Sequence, residues 1–228
     1  CVSGFSPIKP NSASAMVNFA LLTFGLFMAT CLHAAKGLEA MVPKTTSRQV
    51  ITAFGSGKAG ATPRTALITG ASSGIGEELS KQLSFSGSMV VCAARRLPEL
   101  ERVCSIINDS GGSSIAVKTD ITVLEQCVEM VNVAVKTYGK VDGLILNAGV
   151  SMWARFDKLT DISFFNDLMN VNYMGAVNCV HAALPHLKSS RGKIISCSTG
   201  QALMGFPRHS GYAASKHALH GFLSTIAI

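Results

Sequence analysis

From residue 65 onward, short runs of β-branched and small apolar residues alternate with helical stretches, and this alternation constrains the fold more than any other feature. TALIT (65–69) reads as a strand, followed by a helix from Gly74 to Ser84. MVVCAA (89–94) reads as a second strand, with a helix over about 97–109. SIAVKT (114–119) and a helix over about 122–138 come next, then VDGLIL (141–146) and a long helix within 161–188. GKIISCS (192–198) is the fifth strand, and 211–227 closes the pattern as a helix. Strands that alternate with helices must run parallel, because each return to the same sheet edge needs a crossover element. Such a sheet is covered on both faces. The expectation is an α/β domain over 65–228 built on a doubly wound parallel sheet.

The first strand leads directly into TGASSGIG (69–76). Glycines at 70, 74 and 76 permit a tight turn and let backbone N–H groups approach a pyrophosphate at a helix N-terminus. Three glycines alone mean little; between a strand and a helix they point to a Rossmann-type dinucleotide site. In an open α/β sheet, ligands bind at the carboxyl ends of the strands. Polar or glycine-rich signatures follow all five strands: Gly70–Gly76, Arg95, Asp120, Asn147–Gly149 and Thr199. Core packing does not require that coincidence.

Six motifs, in this order and spacing, resemble the short-chain dehydrogenase/reductase family of the TGxxxGIG and YxxxK type. They are TGASSGIG (69–76), AARR (93–96), TDIT (119–122), NAG (147–149), NVNYMG (170–175) and YAASK (212–216). HAALPHLK (181–188) adds a finer likeness to hydroxysteroid dehydrogenase-like members. The resemblance covers about residues 64–228 and implies an oxidoreductase that interconverts a carbonyl and an alcohol on a small, apolar substrate. A non-catalytic NADP-binding or scaffold protein of the same fold is the alternative, and a sugar-nucleotide epimerase or dehydratase is a third reading.

The resemblance assigns cofactor binding to Gly70, Ser72, Ser73, Gly74, Ile75 and Gly76, with Asp120 at the adenine and Asn147, Ala148 and Gly149 beside the ring. An enzyme of this type that uses NAD places an acid after the second strand; here alanine occupies that position and Arg95 and Arg96 follow. A guanidinium suits a 2′-phosphate, so the expected cofactor is NADP(H). Asp120 has a second reading as a helix N-cap. Asn172, selected over Asn170 by its spacing to Gly175, matches the asparagine that kinks the family's fourth helix and holds a water.

Tyr212 and Lys216 are four residues apart and share one helix face. A tyrosine titrates near 10, and a neighbouring ammonium favours the phenolate and lowers that value. Tyr212 is therefore the candidate acid-base, and Lys216 its tuning charge and a contact to the nicotinamide ribose. The family's catalytic serine lies thirteen residues before this tyrosine, a position that Thr199 holds here. Ser198 fills the role only with a one-residue shift, and strand alternation lets only one of the two face the site. Met152, Trp153 and Phe156 either line an apolar pocket or pack the core. No metal site is expected.

The net charge of +7 is unevenly distributed. Residues 1–64 hold six basic side chains against one acid (+5), and the remaining 164 hold fourteen against twelve (+2). The basic excess belongs to the N-terminal segment, which excludes a nucleic-acid surface on the domain. Hydrophobic residues make up 48% and charged residues 14%. VNFALLTFGLFMATCLHAA (17–35) contains no Asp, Glu, Lys or Arg. It has the length of a membrane-spanning helix, with a cleaved signal or transit peptide and a buried helix as alternatives. Lys36, Lys44 and Arg48 follow it, the pattern of an anchor in the endoplasmic reticulum with a cytoplasmic domain. Residues 1–64 are thus read as targeting segment and linker.

The seven cysteines include no CxxC pair and read as buried thiols of a reducing compartment. Cys1 at the start and Ile228 inside a helical pattern read as the ends of a piece of a longer chain, with Met16 or Met41 as candidate starts. Homo-oligomerisation is compatible with the sequence.

Overall fold

A computed structural model of the chain describes residues 18–22 and 63–226. Its strands are β1 (Asn18–Leu22), β2 (Thr65–Thr69), β3 (Met89–Ala94), β4 (Ser113–Lys118), β5 (Gly143–Leu146) and β6 (Lys193–Cys197). They form one sheet in the order β1-β6-β5-β2-β3-β4 with every neighbouring pair parallel. From β2 the chain winds outward through β3 to β4, then returns to the other side of β2 for β5 and β6. The direction reverses between β2 and β5, which is where open α/β sheets hold their ligands.

The helices are α1 (Gly74–Phe85), α2 (Leu97–Asp109), α3 (Leu124–Tyr138), α4 (Phe164–Met169), α5 (Gly175–Ser190) and α6 (Ser210–Ile226). Two cores result from the two-residue period of the strands. Leu67, Val91, Leu144, Leu146 and Ile194 face α3, α5 and α6, where Met130, Cys179, Leu187, Leu219 and Leu223 are buried. Ile68, Val90, Cys92, Ile145 and Ile195 face α1 and α2 over Leu79, Leu83, Leu100 and Ile107. Each large side chain so buried contributes about 1.5–3 kcal/mol. Arg102 of α2 clamps Glu77 of α1 with two bonds of 3.0 and 2.7 Å, which holds the second pair of helices in register.

Four readings change. The long helix within 161–188 is two helices joined by a π turn at Asn170–Met174. The third helix begins at Leu124 rather than 122, because Asp120 ties Thr122 into a side-chain turn first: its Oδ1 accepts from the Thr122 N–H (3.0 Å) and hydroxyl (2.7 Å). β5 starts at Gly143 because the Asp142 carboxylate leaves the strand to accept the Thr65 N–H at 2.8 Å.

The fourth concerns the N-terminal segment. Asn18–Leu22, read as part of an anchor, forms an edge strand beside β6, with Asn18 opposite Lys193 and Leu22 opposite Cys197. The short apolar run supplies backbone donors and acceptors to an edge of β6 that no other described strand pairs. The rest of 17–35, and the linker up to residue 62, lie outside the described residues. No helix among the described residues is long and apolar enough to cross a membrane. Cys92, Cys104, Cys127 and Cys179 are buried free thiols and Cys197 is a half-buried one; the Cys127 and Cys179 sulfurs are 3.7 Å apart between α3 and α5.

Candidate active site

The glycine loop closes on itself at the switch point. Gly70 (φ +69°) and Gly74 (φ +59°) occupy the left-handed region, which a side chain resists. A Cβ on Gly76 would lie 2.3 Å from the Gly70 carbonyl oxygen and 2.5 Å from Asn147 Nδ2. Asn147 is the clamp across the two strand ends: its Nδ2 donates to the carbonyls of Thr69 (3.0 Å) and Gly70 (3.2 Å). Thr69 completes the joint. Its hydroxyl donates to Ile145 O at 3.3 Å and accepts the N–H groups of Asn147 and Ala148, both at 3.1 Å. The loop is therefore folded tightly back on itself, with no room for a side chain at Gly76.

Arg96 reaches over this loop from the end of β3. Its Nη2 donates to the hydroxyls of Ser72 (3.0 Å) and Ser73 (2.9 Å) and its Nη1 lies 3.8 Å from Glu99. Arg95 is exposed and close enough to Asp120 to help hold that carboxyl below the usual range, after the Thr122 hydroxyl, which does most. Asp120 N–H is itself held by Gln126 at 2.8 Å. Asp120 thus caps a turn two residues long, and Val123 stands at the helix N-cap position. Ile75 is exposed on the first turn of α1.

A second cluster lies at the ends of β5 and β6. The π turn presents Asn172 inward, fully buried. Its Oδ1 accepts the Val150 N–H at 2.8 Å, and its Nδ2 donates to Val150 O at 2.8 Å and to Ser215 Oγ at 2.9 Å. The Ser215 hydroxyl donates to the Tyr212 carbonyl at 2.8 Å. Asn172 is therefore the knot between the loop after β5, the broken helix and the first turns of α6. Gly149 is the close approach within it: a Cβ there would lie 3.1 Å from Asn172 Oδ1 and 3.6 Å from Lys216 Nζ.

Tyr212 and Lys216 occupy the first two turns of α6, side by side as their spacing requires. Lys216 is buried, its Nζ donates to Cys197 O at 3.4 Å, and it sits 5.8 Å from the centroid of the Tyr212 ring. Burial pushes the Lys216 ammonium below the ordinary lysine value and the Tyr212 phenol above the ordinary tyrosine value. The lowering of Tyr212 that the lysine alone would bring is outweighed by the dry surroundings. Burial likewise raises the Cys197 thiol to about 11, which keeps it protonated beside the ammonium.

Ser198 and Thr199 both follow β6 and are half-buried. The Thr199 hydroxyl accepts the Gln201 N–H at 3.4 Å and caps the 3-10 turn Gly200–Ala202. The structure thus brings Asn172, Gly149, Lys216 and Tyr212 into one cluster and Gly70, Gly76, Asn147 and Ala148 into another. Arg95 and Asp120 stand apart from both, at the ends of β3 and β4. Thr69 and Ser215 were missed as site residues. Thr69 could have been flagged because it precedes the glycine turn, and Ser215 because it lies inside YAASK.

A parallel sheet with a glycine turn at its switch point and a Tyr/Lys pair at its carboxyl edge defines a dinucleotide-binding α/β protein. Residues 64–228 match the short chain dehydrogenase family. The 11-beta-hydroxysteroid dehydrogenase-like 3 protein of Arabidopsis thaliana is 38% identical over 163 residues, 71% of this chain and 53% of that protein. Among solved structures, an alcohol dehydrogenase of Thermococcus sibiricus complexed with 5-hydroxy-NADP superposes with a TM-score of 0.69 at 26% identity, covering 72% of this chain and 70% of that one. A short chain dehydrogenase/reductase of Burkholderia phymatum in complex with NAD gives 0.68 at 27%, covering 72% and 59%. The chain belongs to the short-chain dehydrogenase/reductase family. It spans about half the length of the curated relatives it matches.

Proposed function

We propose that the chain is an NADP(H)-dependent oxidoreductase that interconverts a carbonyl and an alcohol on a small, apolar substrate. The observation that carries this reading is the cluster of Asn172, Tyr212 and Lys216 at the ends of β5 and β6, beside a glycine turn at the switch point of the sheet. When bound, the nicotinamide supplies or accepts the hydride. The chain's own residues handle the proton. Tyr212, whose phenol burial pushes above the ordinary tyrosine value, gives its proton to the substrate oxygen in the reductive direction. Lys216 sets the field at that phenol and holds ribose hydroxyls. Asn172 fixes the loop after β5 against α6, so the pair keeps its place. A hydroxyl after β6 orients the carbonyl; the thirteen-residue spacing favours Thr199 over Ser198.

NADP(H) is favoured over NAD(H) by residues of this chain, since similar structures hold either an NADP derivative or NAD. Alanine stands where an acid would take the ribose 2′-hydroxyl, and Arg96 already lies on the glycine loop through Ser72 and Ser73. Arg95 adds a second guanidinium after the same strand, near Asp120.

The experiment is steady-state reduction of a panel of apolar ketones by the full-length protein with NADPH and with NADH, for wild type and Tyr212→Phe. Tyr212→Phe is expected to lower kcat by about 10²–10⁴-fold, the usual contribution of a positioned acid, while NADPH still binds. Normal turnover by Tyr212→Phe refutes the mechanism, and equal or tighter use of NADH refutes the cofactor assignment.

A further inference from the structure

We infer that His209 is a specificity residue of this site: with Trp153 and Phe206 it builds an aromatic wall beside Tyr212 that selects a ring-bearing carbonyl substrate over an acyclic one. The inference rests on the oxidoreductase reading above. The His209 imidazole meets three rings edge-to-face. Trp153 is 4.8 Å away at 85°, Phe206 is 5.8 Å away at 67°, and Tyr212 is 5.9 Å away at 60°. Since Tyr212 is the proton donor of the proposed reaction, the wall begins one ring from the reacting oxygen.

The wall is not buried core. Trp153 is 49% exposed and Phe206 42%, and Leu203 and Met204 on the same loop are 57% and 63% exposed. Scattered exposed apolar residues need no explanation, but a contiguous group beside a reactive side chain marks a binding surface. The backbone that carries it is strained. Arg208 has φ +69° although it is not glycine. It is held there by the Ala154 N–H, which donates to its carbonyl at 3.0 Å, and by its guanidinium, which lies 5.6 Å over the Trp153 ring. Strain of this kind persists where the surroundings over-determine it, typically at ligand clamps. It aims the next residue, His209, at the wall.

His209 is suited to be the hub. Its Nδ1 is buried without a hydrogen-bond partner, so an added proton there would have nothing to accept it. Burial accordingly holds its titration below the ordinary histidine value. A neutral imidazole serves as an aromatic ring rather than as a charge. Ring faces carry negative and ring edges positive potential, so rings meeting edge-to-face offer both to a further flat ring. An acyclic chain gains dispersion only.

The test compares acetophenone with an acyclic ketone of the same carbon number, using wild type, His209→Ala and His209→Phe of the full-length protein. Two readouts are taken: the kinetic constants with NADPH, and ketone-induced quenching of Trp153 fluorescence, assigned by its loss in Trp153→Phe. His209→Ala is expected to raise KM for acetophenone roughly tenfold, the scale of one aromatic contact, with kcat little changed. KM for the acyclic ketone rises far less, by the dispersion it loses, and the affinity for NADPH stays at the wild-type value. The acetophenone quench weakens by the same factor, and His209→Phe, which keeps the ring, restores both. Equal losses on the two ketones, or an acetophenone quench unaltered in His209→Ala, overturn the inference. If His209→Ala fails to fold, His209→Phe decides: its failure to retain the preference for acetophenone overturns the wall as the selecting element. A His209-dependent quench in a wild type that turns over no ketone would keep the wall and remove the oxidoreductase reading instead.

Discussion

At Tyr212 two physical effects oppose each other. Lys216 stands 5.8 Å from its ring and favours the phenolate, while burial favours the phenol. Burial prevails in the chain as it stands, raising the Tyr212 phenol and lowering the Lys216 ammonium. The sign follows directly. A raised tyrosine value means that the neutral phenol stabilises the fold. That contribution is complete below the ordinary value of about 10 and is lost as pH climbs through the higher folded value. In the cofactor-free protein, the tyrosinate absorbance step that disappears in Tyr212→Phe is expected above the ordinary tyrosine value. A step below it would show that the ammonium outweighs desolvation. A phenol that keeps its proton at neutral pH is ready to act as a donor, which suits the reductive direction.

At the scale of elements, the turn between β2 and α1 works because two of its glycines serve different ends. Gly70 supplies a left-handed φ, and Gly76 supplies room where the loop folds back on the Gly70 carbonyl. Gly87 offers a control, since it has φ +87° and nothing within 4 Å of its would-be Cβ. Gly87→Ala should cost only the left-handed strain of about 1–2 kcal/mol. Gly76→Ala carries no such strain but brings a collision with backbone, an overpacking cost of about 1–3 kcal/mol, and should also abolish dinucleotide binding, which Gly87→Ala leaves intact. Urea denaturation with cofactor titration checks the pair. Retained dinucleotide binding in Gly76→Ala would show that the close approach does not shape the loop.

For the whole molecule, Asn172 is the point through which three distant stretches report to one another. Its amide joins Val150 after β5, the π turn that carries it, and Ser215 on α6. Asn172→Ala removes three hydrogen bonds and leaves the Val150 backbone groups unpaired. At about 0.5–1.5 kcal/mol for each bond, a loss of roughly 2–4 kcal/mol in urea denaturation is expected. Asn172→Asp keeps the acceptor to the Val150 N–H but sets a buried oxygen against the Val150 carbonyl, and should cost at least as much. A change within about 0.5 kcal/mol, as for an ordinary surface site, would mean that the knot holds nothing together.

Local periodicity is legible in one dimension, and most of the domain follows it. The bounds of β2 at 65–69, β3 at 89–94 and α2 at 97–109 stand as the residues indicate. The glycine turn and the shared face of Tyr212 and Lys216 are also local consequences of residue type and spacing, whereas the clamp that Asn147 makes on Thr69 and Gly70 is not. What only the tertiary structure decides depends on partners far along the chain. Asn18–Leu22 reads as an apolar segment until the open edge of β6 gives its backbone something to bond. The resemblance implies a kink at Asn172 in the helix over 161–188, but its form, a π turn tied to Val150 and Ser215, depends on those distant partners. Arg96 reads as a candidate 2′-phosphate contact, and only the fold shows that it reaches Ser72 and Ser73 of the glycine loop. The direction of the Tyr212 shift belongs to the same group, because spacing shows the neighbouring ammonium but only packing shows how little water surrounds the phenol.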